Sequence, residues 1–392
     1  MLRSMLMLLG IAYFSVSALY ADVAQAAVDH PGQHTKPLNH LMAKIASVMV
    51  TNYPAIVSNQ TLTEKEKETL QLATQELKSL FEQAKPLINQ KSDTYQISYD
   101  LIISHLEKTS TAFRQKNVIY ARKRLRSLGA ICTSCHTQDT ELRTVFSGRE
   151  RSAFSSDFDY AEFSYMTRNY DDAIKYYEKF LSSSLSKTEL QIISPLQRMM
   201  TIYVQIGQDL SGAKSGLSKY SSLKQHTAKT KDHLQQWISG LDKLKADKVT
   251  GSDNLTFPML KKLVQRYIGE TDQLQAEYFS TPEDEVARVW LRGRLYHYLN
   301  SNPPIDEVPT ILYWLSICDR TLGYSFNFSF ADLYLKDCVS RFPSHPIAEL
   351  CFKEYENFIT TSYSGSAGVF LPEDVEDELF LLKKLLRESR RN

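Results

Sequence analysis

The chain has 392 residues, of which 43% are apolar and 23% are charged, with only 14 Gly and 13 Pro. This composition is typical of a helix-rich globular protein, and the length allows for two domains, or for one domain and a repeat array. The formal net charge of +1 argues against nucleic acid as the partner, because proteins that bind nucleic acid usually carry a strong basic excess.

The N-terminus has the pattern of an export signal. Arg3 is followed by the apolar run "MLMLLGIAYFSVSA" and then by "ADVAQAAVDH", which give a charged start, an apolar core and small residues for cleavage. Ala24 and Ala26 fit the −3 and −1 positions and predict a signal peptide over 1–26; cleavage after Ala21 is the alternative. The run is short for an uncleaved anchor, which needs ~20 residues. We therefore expect an exported, periplasmic protein without a stable membrane span.

Four amphipathic helical stretches follow the signal. Apolar residues recur at three- and four-residue steps over 38–49, and a second helix is predicted from the capping box formed by Thr63 and Glu66. A third stretch covers 95–113. The apolar stripe of the fourth comprises Val118, Ala121, Leu125, Leu128, Cys132 and Cys135. The short connections make an antiparallel four-helix bundle over 27–145 the simplest all-α arrangement.

The segment "GAICTSCHTQ" ends the fourth stretch and contains Cys-x-x-Cys-His. On a helix, Cys132, Cys135 and His136 lie on one surface, three and four residues apart. Covalent haem needs this arrangement, since two thiols bond the porphyrin while the adjacent imidazole reaches the iron. The pentad therefore predicts one covalently bound haem c, with His136 as an axial iron ligand. Haem of this type is attached outside the cytoplasm, which agrees with the export signal.

Two other chemistries use a similar spacing of cysteines. A thiol–disulfide couple of the thioredoxin type expects a strand before the motif, whereas a long amphipathic helix is predicted here. A structural zinc site needs two further ligands at suitable spacing, and the remaining Cys and His residues are scattered along the chain. Both stay open as weaker alternatives to haem.

A four-helix bundle whose last helix ends in the haem motif resembles the cytochrome c′ family, including its low-spin relatives. The resemblance covers 38–143 and rests on "HLMAKIASVM", on "TAFRQKNVIYARKRLRSLGAICTSCH" and on the order of the helices. It implies that Cys132 and Cys135 form the thioethers and that His136 is the proximal ligand. Bundles of two chains often pair in this family, which implies a homodimer through the haem bundle; the alternative is that the fused second domain blocks or replaces that contact.

The resemblance leaves the sixth iron position open. In the family this position is often empty and faced by an apolar residue of the first helix, and in the low-spin relatives a methionine of that helix fills it. Met42 is the candidate here, with His40 and Leu38 as neighbours that could face the iron instead; a methionine at such a position is otherwise an ordinary core residue. The family often has an arginine soon after the histidine, whereas Thr140 and Arg143 follow here.

After a linker predicted at 146–156, paired helical segments rich in aromatic residues fill 157–392. "FDYAEFSYMTRNYDDAIKYYEKFL" and "PLQRMMTIYVQIGQDLSGAKSGLSKY" resemble tetratricopeptide hairpins, with Ala173 and Ala213 at close-packing positions. Their spacing of 40 residues exceeds the usual ~34 and indicates degenerate repeats with an insertion. The resemblance implies an α-solenoid that binds a protein or peptide along its concave surface; a purely structural extension of the haem domain is the alternative.

The segment "ADLYLKDCVSRFPSHPIAELCFKEYENF" predicts one more helical hairpin, whose turn is marked by two prolines. Cys338 and Cys351 lie symmetrically about that turn, so an antiparallel hairpin puts them at the same height on facing helices. In an oxidising compartment this predicts a disulfide, with two buried cysteines as the alternative. Cys318 is left over and is expected to be buried and inert.

Three functions fit these features. The first is an electron-transfer protein, in which the haem passes single electrons and the repeats dock it to a periplasmic redox partner. The second is a haem-based binder or sensor of nitric oxide or carbon monoxide with five-coordinate iron, and the third is a periplasmic assembly scaffold with structural haem. No catalytic pattern is visible, so we do not expect an enzyme. A basic run before the pentad could attract an acidic redox partner; it comprises Arg114, Lys116, Arg122, Lys123, Arg124 and Arg126.

Overall fold

The structure is a computed structural model. It describes residues 37–57, 61–88, 93–137, 150–154, 156–183, 187–221, 223, 226–247, 255–269, 280–322, 326, 329–366 and 368–390. The predicted signal peptide, residues 146–149 and 155 of the predicted linker, and both Thr140 and Arg143 lie outside the described residues.

The described part of the chain is almost entirely α-helical, as the sequence predicts. Its first half contains α1 (Pro37–Val57), α2 (Glu64–Ile88), α3 (Asp93–Arg114) and α4 (Val118–His136). Its second half contains α5 (Asp157–Met166), α6 (Tyr170–Ser182), α7 (Glu189–Met200), α8 (Leu210–Ser221), α9 (Ala228–Ala246), α10 (Phe257–Tyr267), α11 (Pro282–Asn300), α12 (Val308–Leu322), α13 (Ala331–Arg341), α14 (Ala348–Ser362) and α15 (Glu373–Ser389). Smaller elements are a π-helix (Thr201–Ile206) that continues α7, and a hairpin of β1 (Ser364–Gly365) and β2 (Gly368–Val369).

The first four helices contact one another in a closed ring: α1 with α2, α2 with α3, α3 with α4, and α4 with α1. Their apolar stripes face inward, and Leu70, Leu106 and Leu128 are fully buried. The predicted capping box starts α2, where the Thr63 N–H donates to Glu66 Oε2 at 2.7 Å. Because the connections are short, neighbouring helices run in opposite directions.

Two arginines of α4 cap the end of α1 and set the register between these helices. The Nε atoms of Arg122 and Arg126 donate to the Ile56 carbonyl oxygen at 3.3 and 2.8 Å, in the last turn of α1, where backbone donors run out. Fourteen residues separate Met42 from Ile56, and fourteen separate Arg122 from His136. Since antiparallel helices rise equally per residue, Met42 lies near the height of His136.

The centre of the second half is α12. Every residue from Ile311 to Leu322 is buried, the pattern of a helix surrounded on all sides. Most helices of this half pack against their neighbours in the chain, but the π-helix also contacts α11, and α13 returns to contact α3. A simple repeat array, in which each unit touches only the next, lacks such long-range contacts.

A disulfide between Cys338 and Cys351 joins α13 to α14, with the two Cα atoms 6.3 Å apart. The two helices pack against each other on either side of the "RFPSHP" turn.

The thiol of Cys318 is fully buried in α12, and burial raises its pKa to about 12, which leaves this cysteine unreactive.

We expect loss of the disulfide to lower the free energy of unfolding by about 2–3 kcal/mol, because the bond restricts a loop of the unfolded chain between cysteines 13 positions apart. The double variant Cys338→Ala/Cys351→Ala should show this loss in urea unfolding under oxidising conditions. The difference from the wild type should shrink when both proteins are measured with a reductant. Equal stability under oxidising conditions would contradict the prediction.

A buried histidine joins α3 to α4. The Nε2 of His105 donates to the Arg124 carbonyl oxygen at 2.6 Å, and its Nδ1 accepts from Arg124 Nη2 at 3.0 Å. Because a carbonyl only accepts and a guanidinium only donates, these two bonds define the neutral ring with its proton on Nε2. Burial, helped by the charges of Arg124 and Lys108, lowers the pKa of His105 to about 4.

This histidine should make the folded protein less stable as the pH falls from 7 to 5. The unfolded chain takes up a proton at His105 near pH 6.5, whereas the folded protein resists protonation down to about pH 4. Its contribution is therefore complete above pH 6.5 and is lost as the pH falls below that value. The variant His105→Gln keeps a donor and an acceptor but does not titrate. Between pH 7 and pH 5, its free energy of unfolding in urea should therefore fall by about 1–2 kcal/mol less than that of the wild type. If the free energy of unfolding of His105→Gln depended on pH as that of the wild type does, the role assigned to His105 would be refuted.

Candidate functional site

The cysteine–histidine pentad forms the last turn of α4, as the sequence predicts. Cys132 is buried, and His136 is the final residue of the helix. Cys135 belongs to the same turn, and its side chain lies outside the described part of the structure. A bond of 2.9 Å from the Thr137 N–H to the Thr133 carbonyl oxygen extends the helical hydrogen bonding one residue beyond the pentad.

The carbonyl group of Met166 orients the imidazole of His136. Nδ1 of His136 lies 2.7 Å from the Met166 carbonyl oxygen. Since that oxygen can only accept, Nδ1 carries the proton and Nε2 of the neutral ring keeps the lone pair that a metal ligand needs. His136 is half-buried. Burial, together with the charge of Arg168, lowers its pKa to about 3. The imidazole is therefore neutral at physiological pH.

The end of α5 makes this carbonyl available. The N–H of Asn169 donates to the Ser164 carbonyl at 2.8 Å, and that of Arg168 donates to the Tyr165 carbonyl at 3.2 Å. These bonds, with Arg168 at φ 64°, form a Schellman motif, which ends a helix by turning the chain back on its last carbonyls. The Met166 carbonyl follows these two and belongs to the helix end that needs an outside donor, which His136 supplies.

The residue after the pentad is held by a chain of buried polar groups that we call the Gln205 network, comprising Thr137, Gln205, Arg292, Asp319 and Phe330. Gln205 Nε2 donates to the Thr137 carbonyl oxygen at 2.8 Å, and Gln205 Oε1 accepts from Arg292 Nη1 at 3.1 Å. Arg292 Nε donates to Asp319 Oδ1 at 2.5 Å, and Asp319 Oδ2 accepts from the Phe330 N–H at 2.8 Å. None of the five residues is more than 3% exposed.

The candidate sixth ligand lies at the same end of the four-helix ring as the pentad. Met42 is half-buried against the core of the ring, near the height of His136 by the register described above. Of its neighbours, His40 is exposed and Leu38 is half-buried. The structure thus brings Met42, Cys132 and His136 to one end of the ring.

A c-type haem needs two thiols and one imidazole with a free Nε2 lone pair, and the residue types at the end of α4 meet this requirement.

Among the described residues, no group of three or more His, Cys, Asp and Glu could hold a metal ion. None of the described helices combines the length and the hydropathy needed to cross a bilayer.

The sequence indicated the pentad but not the groups that hold it. Met166 acts through its backbone carbonyl, which has no sequence signature, and Arg168 takes a positive φ where glycine is usual. The one available hint for Gln205 was its place as a polar residue within the otherwise apolar run "VQI". Arg292 carried no sequence signal of burial.

No family model, curated protein or solved structure matches this chain.

Proposed function

We propose that this chain is an exported monohaem c-type cytochrome that transfers single electrons, and that its second half docks it to a protein partner. The observation that carries the proposal is the orientation of His136. At the end of Cys-x-x-Cys-His, its Nδ1–H is bound by a backbone carbonyl, and Nε2 is left as the ligating nitrogen. Histidines that bind metals are oriented in this way, because the bond at one nitrogen fixes the tautomer and makes the other more basic.

In this proposal Cys132 and Cys135 form the thioether bonds, and His136 is an axial ligand. The bound haem supplies a one-electron redox couple. The residues of the chain hold and tune it: α4 sets the spacing of thiols and imidazole, and Met166 orients the imidazole. The positive charge of Arg168, close enough to lower the pKa of His136, opposes further positive charge there and so favours the reduced form.

The helix packing supports the two parts of the proposed architecture. The closed ring of α1 to α4, with the pentad at the end of its last helix, supports a haem-bearing four-helix bundle similar to cytochrome c′. The hairpins α5–α6, α7–α8 and α13–α14, with Ala173 and Ala213 buried where helices approach closely, support a tetratricopeptide-like scaffold for a protein partner. A homodimer through the bundle stays a prediction.

Covalent haem is the first property to test. After expression with the c-type maturation machinery, the exported protein should keep a peroxidase-active haem stain on a denaturing gel, because thioether bonds survive unfolding. The variant Cys132→Ala/Cys135→Ala should lose the stain, whereas Cys318→Ala, which removes a buried thiol elsewhere, should keep it. An exported wild-type protein without a stained band would rule out the proposal.

Met42 should determine the spin state of the iron. If its sulfur fills the sixth position, Met42→Ala converts a low-spin absorption spectrum into a high-spin one and opens the ferrous form to carbon monoxide. Met49→Ala is the matched control, since Met49 is a buried core methionine of the same helix and should leave the spectrum unchanged.

The same spectra discriminate between the proposed function and its alternatives. A wild-type protein that is high-spin and binds carbon monoxide readily would favour the haem-based gas binder over electron transfer. A Cys132→Ala/Cys135→Ala variant that still captures the protein partner of the wild type would favour the scaffold with structural haem.

A further inference from the structure

We propose that Gln205 is a positioning residue for the haem-binding segment: through its side chain, the buried core of the second half holds the end of α4 and with it the orientation of His136. This inference deepens the proposed function, and its effect on the iron rests on that function. The hydrogen bond between Gln205 and the end of α4 is a property of the polypeptide, and its effect on that helix end can be measured without haem.

The end of α4 is held from two directions. Met166 binds the ring of His136, while Gln205 binds the backbone of Thr137, the next residue. Thr137 directly follows His136, the last residue of α4. The bond from Gln205 therefore ties the residue next to the imidazole to the core of the second half.

The amide of Gln205 has a defined direction. A guanidinium has only donors, so the oxygen of the amide must face Arg292 and its nitrogen must face Thr137. Arg292 is itself held by Asp319 and lies over the ring of Tyr296, 4.7 Å from its centroid. The donor directed at Thr137 is thus fixed by groups of α11 and α12.

The backbone of Gln205 is also closely packed. A Cβ atom added at Gly293 of α11 would lie 2.7 Å from the Gln205 carbonyl oxygen, so the two backbones meet without an intervening side chain. Gln205 belongs to the π-helix, a rare form that is frequent at functional sites, in which the Gly207 N–H reaches back to Ile202 at 2.8 Å. The backbone of Gln205 is therefore packed directly against that of α11.

Gln205→Glu separates positioning from a merely structural role. The variant keeps the size of the side chain and the acceptor for Arg292, but an ionised carboxylate cannot donate to the Thr137 carbonyl. Gln197→Glu is the matched control: Gln197 is a buried glutamine of α7, 4% exposed, and among the described residues its side chain makes no hydrogen bond to α4.

Two readouts are expected to respond in Gln205→Glu and not in Gln197→Glu. Hydrogen–deuterium exchange of the backbone amides of 132–137 should accelerate, because the helix end frays. In the haem-bearing protein, the pH at which His136 leaves the iron, read from the absorption spectrum, should rise, because the backbone next to the imidazole is held less firmly. The upper bound is about one to two units, the 10- to 100-fold weakening typical when a hydrogen bond made directly to a ligand is lost.

A second pair of variants tests the same interaction between Gln205 and the end of α4 without adding charge. Gly293→Ala pushes a methyl group against the Gln205 backbone and should produce both changes. Gly216→Ala, whose added Cβ would make ordinary contacts of 3.7 Å or more, should produce neither. These variants decide the matter if Gln205→Glu does not fold.

The outcomes for the two proposals can be told apart. Wild-type exchange at 132–137 in both Gln205→Glu and Gly293→Ala overturns the role of Gln205, whatever the haem content. Faster exchange without any change in the pH of His136 dissociation also overturns it as a positioning residue. A wild-type protein without haem defeats the proposed function, while exchange measured in Cys132→Ala/Cys135→Ala still decides whether Gln205 holds α4.

Discussion

The structure depends on one buried cation, the guanidinium of Arg292. It is fully buried, and an arginine cannot lose its proton to escape the cost of burial. Its charge must therefore be stabilised inside the protein, and Arg292 donates hydrogen bonds to the carboxylate of Asp319 and to the amide oxygen of Gln205. Because Asp319 also binds the backbone of Phe330, and Gln205 also binds that of Thr137, one charge aligns four separate segments of the chain. The end of α4 is placed by a requirement that arises in the core of the second half.

This arrangement is better understood as a device for alignment than as a source of stability. Replacing a buried ion pair with apolar groups of similar volume is often neutral or stabilising, whereas removing one partner is costly. Two further buried or half-buried arginines of the second half are also paired with an acid: Arg198 pairs with Glu162, and Arg320 pairs with Glu354. Such pairs reject misaligned packings, since any shift of one helix leaves a charge unpaired. In a domain built largely of apolar helices, which could slide past one another, directional polar contacts determine the register.

The sequence predicted the parts of the fold that depend on local pattern. The apolar periodicity located α1 to α4, the capping box located the start of α2, and the proline-marked turn separated α13 from α14. It did not predict which polar groups become buried, because burial is decided by elements far apart in the chain. The basic run before the pentad gave no sign of internal contacts, yet Arg122 and Arg126 cap α1, and Arg124 binds His105. Glu285 carried no sequence signal of burial, but it accepts from Trp237 at 2.8 Å, and burial raises its pKa to about 7.

In the proposed cytochrome, the contacts that hold His136 also determine how a protein partner affects the iron. A hydrogen-bonded chain with two ends transmits a change from either end, and the coupling between two binding events is equal in both directions. A partner that displaces α11 or the π-helix would alter the hold of Gln205 on Thr137, and a change in the coordination of His136 would act back on the same helices. A solenoid joined to a bundle by a linker alone would lack this coupling, because neighbouring repeats contact only each other. In the proposed cytochrome, the contacts of Met166 and Gln205 with the end of α4 therefore make the second half part of the haem environment as well as a docking surface.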